Sequence, residues 1–117
     1  GRVPSSKSGY YVRTGRVVSL NLYIAFGSTS ANNSPIRIKG MPLQGMNDAG
    51  TGQNCGGFQV VRTNSSRRND LINFYYTDTG VANDYIEILD GDWGNRVPYS
   101  AYNGAFLAIT GFYYTKD

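Results

Sequence analysis

The sequence predicts an all-β domain, an antiparallel two-sheet β-sandwich of jelly-roll type. Length and composition are the first observations behind this prediction. The chain has 117 residues, enough for one domain, with 15 glycines, 10 tyrosines and only 16% charged residues, against a usual charged share of about 25%. Glycine, asparagine and serine favour turns, whereas tyrosine and β-branched residues favour strands. The third observation is periodicity. The sequence contains short alternating patterns separated by turn signals, and it lacks an apolar period typical of helices.

The first element is a pair of strands that meet at Gly15, because a glycine inside a strand pattern marks a bend. One strand is predicted to end at Thr14 and a longer one to begin at Arg16. Apolar and mostly polar residues alternate along the second strand, so its two faces differ. The core face is predicted to carry Val18, Leu20, Leu22, Ile24 and Phe26, and the outer face Ser19, Asn21, Tyr23 and Ala25. The outer face suits contact with a neighbouring subunit; the alternative is that Tyr23 is an ordinary exposed tyrosine.

The remaining elements follow in order between polar or glycine-rich segments. A short strand is predicted within 34–42, with Ile36 and Ile38 inward. Further strands are predicted at 57–63, 71–77, 84–90 and 105–114, surface loops at 44–57 and 64–70, and an irregular segment at 91–104 with a helical turn near Ser100 to Tyr102. An immunoglobulin domain fits less well, because its paired cysteines around a core tryptophan are missing.

Domain limits and compartment follow from a few further features. The chain begins at Gly1, and residues 1–8 are predicted to be a linker or tag remnant before a single domain at 9–117. Cys55 is the only cysteine, which favours assembly in a reducing compartment or indifference to redox conditions. The net charge of +3 includes no basic run beyond Arg67–Arg68, so nucleic-acid binding is not predicted. No apolar stretch approaches the roughly 18 residues of a membrane span, so membrane insertion is not predicted either.

Residues capable of catalysis are few. The chain contains no histidine, the commonest general base and a usual zinc ligand. Cys55 without a histidine is a poor nucleophile candidate. Asp90 and Asp92 would share a face if the strand continued, at a separation near that of the paired carboxylates of glycosidases. Gly91 and Gly94 instead favour a turn in which the aspartates accept backbone amides, and a calcium loop lacks its terminal glutamate. We therefore predict no catalytic residue, metal or cofactor.

A ligand site is predicted in the polar loop around the only tryptophan. An exposed tryptophan can stack on a sugar while polar neighbours bond its hydroxyl groups. Alternatively, the ring caps the sandwich end or packs against a neighbouring subunit. Arg67 and Arg68 form a second candidate, for acidic polysaccharide; a solvated loop is the alternative. The predicted ligand residues are Asp90, Asp92, Trp93, Asn95 and Arg96.

Three stretches resemble, in order, the C-terminal β-sandwich domain of bacteriophage tail fibres and tailspikes. They read YYVRTGRVVSL, IRIKGMP and FLAITGFYY. Members of that family have an aromatic–basic–Gly–apolar–Val strand, an Ile-x-Gly-apolar-Pro element and a closing apolar-x-Gly-x-Tyr strand. The matching positions are Tyr11, Arg13, Gly15, Val17 and Val18, then Ile38, Gly40, Met41 and Pro42, then Ile109, Gly111 and Tyr113.

The resemblance implies a non-enzymatic homotrimer that ends a fibre or spike of the virion and is assembled in the bacterial cytoplasm. It implies attachment to the host surface, through a glycan or an outer-membrane component. Two other functions stay open at this point. One is a purely structural virion component without a ligand, and the other is an accessory carbohydrate-binding module of a polysaccharide-degrading enzyme.

Overall fold

The structure is a computed structural model that describes residues 6–28, 31–46, 56–67, 69–75, 81–92 and 94–116. These residues form strands and two short 3-10 helices, Val81–Asn83 and Tyr99–Tyr102, with no α-helix among them, and none of their helical segments is long and apolar enough to cross a bilayer. The all-β prediction is confirmed. The strands are β1 Ser6–Thr14, β2 Val17–Ala25, β3 Arg37–Ile38, β4 Gly57–Thr63, β5 Leu71–Tyr75, β6 Tyr85–Leu89 and β7 Phe106–Tyr114.

The strands pair into one antiparallel sheet in the order β1-β2-β7-β4-β5-β6-β3. The predicted division into two sheets with a jelly-roll order is not confirmed. The reason is the position of β7, which bonds β2 along one edge and β4 along the other and so makes the ladder continuous. A bulge between Val60 and Arg62 bends β4. The single sheet therefore encloses its core by curling.

The β1–β2 hairpin shows why the chain reverses where the sequence predicts. Its loop has two residues, Gly15 and Arg16, and Gly15 has φ 60°. A type II′ turn needs positive φ at its first central position, which glycine adopts without strain. Thr14 and Val17 close the hairpin, and the turn twists in the sense that suits the strands.

The core lies on the inner face of the curled sheet. Of the five predicted core residues on and directly after β2, Val18, Leu20, Ile24 and Phe26 are buried, whereas Leu22 is only half-buried. Aromatic stacking contributes as well, because the rings of Phe74 and Tyr113 lie 4.4 Å apart. The other buried hydrophobic residues are Ile36, Met41, Tyr85, Ile86, Ile88, Val97, Tyr99, Tyr102, Ala105, Leu107 and Ile109.

Close approach of β4 to β7 depends on Gly111. A Cβ atom at this position would overlap the backbone of Gly57 and Phe58 and the ring of Phe58. Gly111 pairs directly with Phe58, so the missing side chain leaves space for the aromatic ring. The closing-strand glycine therefore has a packing role in this sheet.

Candidate functional site

The predicted ligand residues lie on and beside a tight turn that follows β6. The Asp90 amide donates to the carbonyl of Asn95 at 2.7 Å, and the Gly94 amide donates to the carbonyl of Asp90 at 2.6 Å. The Asp90 carboxylate accepts the amide of Asp92 at 2.8 Å. The turn that Gly91 and Gly94 predict is therefore present, and Asp90 accepts a backbone amide as expected. Trp93 lies outside the described residues.

The two loops that the sequence analysis singled out, 64–70 and 90–96, lie side by side. Leu71 pairs with Leu89 in the antiparallel β5–β6 ladder, so the loop before β5 and the turn after β6 reach the same end of the sheet. Gly91 packs against the backbone carbonyl of Asn69 so closely that a Cβ atom would not fit. Asn69 itself has φ 65°, a conformation that asparagine tolerates better than most residues. We call this combined surface the paired loops.

A buried carboxylate anchors the paired loops to the core. The Arg67 guanidinium donates to both oxygens of Asp70, at 2.8 and 2.9 Å, and Tyr102 donates its hydroxyl to Asp70 Oδ2 at 2.6 Å. The bond to Asp70 raises the pKa of Arg67. Burial, and then the bond to Asp70, raise the pKa of the Tyr102 hydroxyl. The Arg67 guanidinium is therefore bonded to Asp70, and Asp90 Oδ2 lies 4.0 Å from it. These contacts leave fewer Arg67 donors for an acidic polysaccharide. Arg68 lies outside the described residues.

The Arg96 side chain bonds a residue of β6 and not the turn that contains the other predicted ligand residues. Its Nε donates to Glu87 Oε2 at 3.0 Å, and Asn73 donates to the other carboxylate oxygen, also at 3.0 Å. The bond to Glu87 raises the pKa of Arg96. Glu87 is only 4% exposed although it lies on the outer face of β6. Sequence reasoning gave Glu87 no role, and its partners depend on a register that the alternation pattern does not reveal.

Beside Glu87, an aromatic cluster covers the outer face of β6. The rings of Tyr75 and Tyr85 stack with centroids 5.0 Å apart, and the Arg37 guanidinium lies 4.8 Å above Tyr85. Burial raises the pKa of Tyr85. Both faces of β6 are therefore covered, and these groups stabilise the strand that precedes the turn at 90–95.

The exposed groups of the paired loops are hydrogen-bonding groups. Asp92 and Asn95 are exposed, and Asp90 is half-buried. Carboxylate and amide groups can bond sugar hydroxyls. In the part of the chain that the structure describes, no three His, Cys, Asp or Glu side chains are grouped so that they could hold a metal ion.

A second surface is the outer face of β1, β2, β7 and β4, which we call the aromatic face. Tyr10 is 66% and Tyr23 41% exposed, and Tyr23 stacks on Phe106 with centroids 5.6 Å apart. The strand register brings the predicted outer residues of β2 to this face. Arg62 is the only charged residue that the register of the described strands places there. The large apolar and aromatic members of the face are Tyr10, Val12, Val17, Tyr23, Phe106, Phe112 and Tyr114.

Fold and surfaces together define an all-β domain with one curled antiparallel sheet, a set of polar loops at one end and a charge-poor aromatic face. No protein-family model, curated protein or solved structure matches the chain.

Proposed function

We propose that this domain is a non-enzymatic, homotrimeric attachment module of a bacteriophage tail fibre or tailspike, and that the curled sheet is its form of that family's β-sandwich. The aromatic face is the observation that carries the proposal. Subunit interfaces are enriched in tyrosine and phenylalanine and poor in charged residues. The aromatic face has this composition, with Tyr10, Tyr23 and Phe112 exposed and Arg62 as its one charge among the described strands.

The geometry of the aromatic face supports contact between copies. Four neighbouring strands supply it, so its residues lie on one continuous sheet surface. At its centre, the Thr110 hydroxyl donates to the Asn21 amide oxygen at 2.9 Å, so these two oxygens are bonded within the chain. Polar groups that are already bonded can be covered by a partner with little desolvation cost. Large rings with few rotatable bonds also lose little entropy on contact.

The paired loops are the surface that we assign to the host, through a cell-surface glycan or an outer-membrane component. Asp90, Asp92 and Asn95 provide hydrogen-bonding groups, and Trp93 provides the ring for stacking. A trimer would present three copies of the paired loops. Weak individual sites can then hold a particle to a repetitive surface, because the second and third contacts form at high effective concentration.

The assembly half of the proposal is tested by multi-angle light scattering. The expected mass is three times 12.8 kDa. Tyr23→Lys combined with Phe112→Lys should give a monomer with an unchanged β-sheet circular dichroism spectrum, because buried lysines at the interface would be desolvated without partners. Leu71→Lys is the matched control: Leu71 is 56% exposed and lies on β5, outside the aromatic face. A monomeric unaltered chain would contradict trimerisation by this domain.

The attachment half is tested by binding to bacterial cells and to their purified surface glycans. Trp93→Ala should abolish binding while the thermal midpoint stays nearly unchanged, and Asp92→Ala with Asn95→Ala should weaken it. Lys116→Ala, an exposed change away from the paired loops, is the control. A large fall in midpoint for Trp93→Ala would assign the ring a structural role. Unaltered binding by all variants would favour a ligand-free structural component of the virion.

A further inference from the structure

The curled sheet is open along one side, where its two edge strands, β1 and β3, line a common groove. The groove has a volume of about 1020 Å³ and contains residues of both strands in its walls. Closing a sheet into a barrel removes its edges, whereas an open sheet leaves them free to pair. The apolar floor of the groove is formed by Leu20, Leu22, Ile24, Ile36, Ile38 and Met41.

The floor is incompletely covered by the chain itself. Leu22 and Ile38 are half-buried, although both lie on the core side of their strands. Gly9 lies opposite Leu22 in the β1–β2 ladder, and the Leu22 side chain occupies the position where a Cβ of residue 9 would be. The missing side chain on β1 leaves Leu22 without a covering neighbour from that strand.

The backbone of β1 offers an unpaired edge toward the groove. A two-residue hairpin is closed by a hydrogen-bonded pair, here Thr14 and Val17. Bonded and non-bonded pairs then alternate along an antiparallel ladder. Gly9, Tyr11 and Arg13 fall in the non-bonded positions, so their N–H and C=O groups point away from β2. Gly9 and Tyr11 line the groove.

The charges around the groove all have the same sign. Among the described residues, Arg37 and Lys39 are the only charged ones that line the groove, and both are exposed. Arg13 lies on the same face of β1 as Tyr11. No carboxylate of the described chain lines the groove; those carboxylates belong to Asp70, Asp84, Glu87, Asp90 and Asp92.

We propose that the groove binds an extended, acidic peptide segment of a partner protein, which adds a strand along β1. Strand addition uses the free edge groups for affinity and alternate side chains for specificity. Apolar residues of the segment cover Leu22 and Ile38, and the alternate acidic residues face Lys39 and Arg37. Residues 1–5, which precede β1, are a poor match, because they include Arg2 and no carboxylate. This proposal does not depend on the assembly or the host ligand of the domain.

Isothermal titration with two synthetic peptides tests the proposal. In one, valine alternates with glutamate, and in the other, valine alternates with lysine; both have blocked ends. The valine–glutamate peptide should bind, and the valine–lysine peptide should not. Lys39→Glu should weaken binding at least about threefold, since it turns an attraction into a repulsion. Lys116→Glu, which reverses an exposed charge outside both the groove and the aromatic face, is the matched control and should change little.

Tyr11→Pro tests the backbone pairing separately. The Tyr11 amide points away from β2, so proline removes the donor for an added strand without breaking a bond of the β1–β2 ladder. Binding should be lost while circular dichroism stays unchanged; if the variant does not fold, Lys39→Glu decides alone. Equal binding of both peptides, no binding of either, or an equal effect of Lys116→Glu would overturn the proposal. Dissociation of a homo-oligomer by Tyr11→Pro would also overturn it, by assigning the edge to a second copy.

Discussion

The Tyr102 hydroxyl connects the core to the loop that contains Arg67 and Asp70. It lies 2.6 Å from Asp70 Oδ2, and the Asp70 side chain is 4% exposed. Tyr102→Phe should lower the free energy of unfolding by about 1.5–3 kcal/mol, the usual range for a hydrogen bond to a charged group. Tyr99→Phe is the control, because the Tyr99 hydroxyl donates to the carbonyl of Arg37 over a long 3.4 Å. Urea denaturation measures both; equal losses would mean that the Asp70 bond is not the cause.

Alkaline pH should destabilise the fold through the same hydroxyl. Because burial raises the pKa of Tyr102 above its ordinary value of 10.0, the unfolded chain releases this proton at a lower pH than the native protein does. The contribution to stability is complete below pH 10 and falls as the pH rises from there toward the native pKa. Stability measured from about pH 8 to about pH 11 should decline less steeply in Tyr102→Phe than in the unaltered chain. A residual slope is expected, since burial also raises the pKa of Tyr85. Identical slopes would mean that the Tyr102 hydroxyl does not cause the loss of stability at alkaline pH.

At the scale of the strand, β2 allows a comparison of two leucines on one face. Leu20 is buried and Leu22 is half-buried at the open groove. Leu20→Ala should cost about 2–5 kcal/mol, the usual range for a buried leucine. Leu22→Ala, for which the alternation pattern predicts the same cost, should lose less because part of its surface is already in water. Chemical denaturation of the two variants gives the comparison. Equal costs would indicate that the groove is closed in solution.

The β4–β7 contact allows a similar comparison of two glycines. Gly111→Ala should lower stability by about 1–3 kcal/mol or more, because the new methyl group overlaps the Gly57 and Phe58 backbone. Gly57→Ala should change little, since its Cβ would meet only the Phe112 ring, at an ordinary 3.9 Å. Thermal melts of both variants measure the difference. An unchanged melting temperature for Gly111→Ala would mean that β4 and β7 lie farther apart than in this structure.

The positions of the strands could be predicted from local pattern alone. Alternation along β2 depends only on the pleat, and the inward residues Val18 and Leu20 are buried as expected. The predicted helical turn near residues 100–102 is also present, as the 3-10 helix Tyr99–Tyr102. These features involve neighbours in the sequence, which is why the sequence contains enough information to predict them.

The site was only partly predictable, because its parts meet through strand pairing. The ligand turn and the loop 64–70 were both identified, but their contact at Gly91 and Asn69 depends on the β5–β6 register. The position of Arg96 in the sequence predicts a ligand residue beside the turn, whereas its side chain bonds the buried Glu87. Which side chains bond each other depends on packing between segments that are distant in the sequence. The two-residue alternation of a strand does not predict such pairs.

For the whole molecule, the same limit explains the difference in sheet arrangement. The alternation pattern gives each strand an inner and an outer face, but it does not specify the order of strands. The aligned pairing of Asn21 with Thr110 joins residues from opposite ends of the chain. Contacts at such separation form slowly, because the intervening chain must lose entropy before they are gained.

The interior position of β7, third in the sheet order, has a consequence for synthesis in the cell. The strand made last is the one that joins the β1–β2 hairpin to β4, so neither part can complete its hydrogen bonding while the ribosome still holds residues 106–114. We therefore expect folding of this sheet to follow translation of Tyr114 instead of proceeding along with it. A chain shortened to end at Ala105 should remain unfolded by circular dichroism; a native-like spectrum would show that the other strands fold without β7.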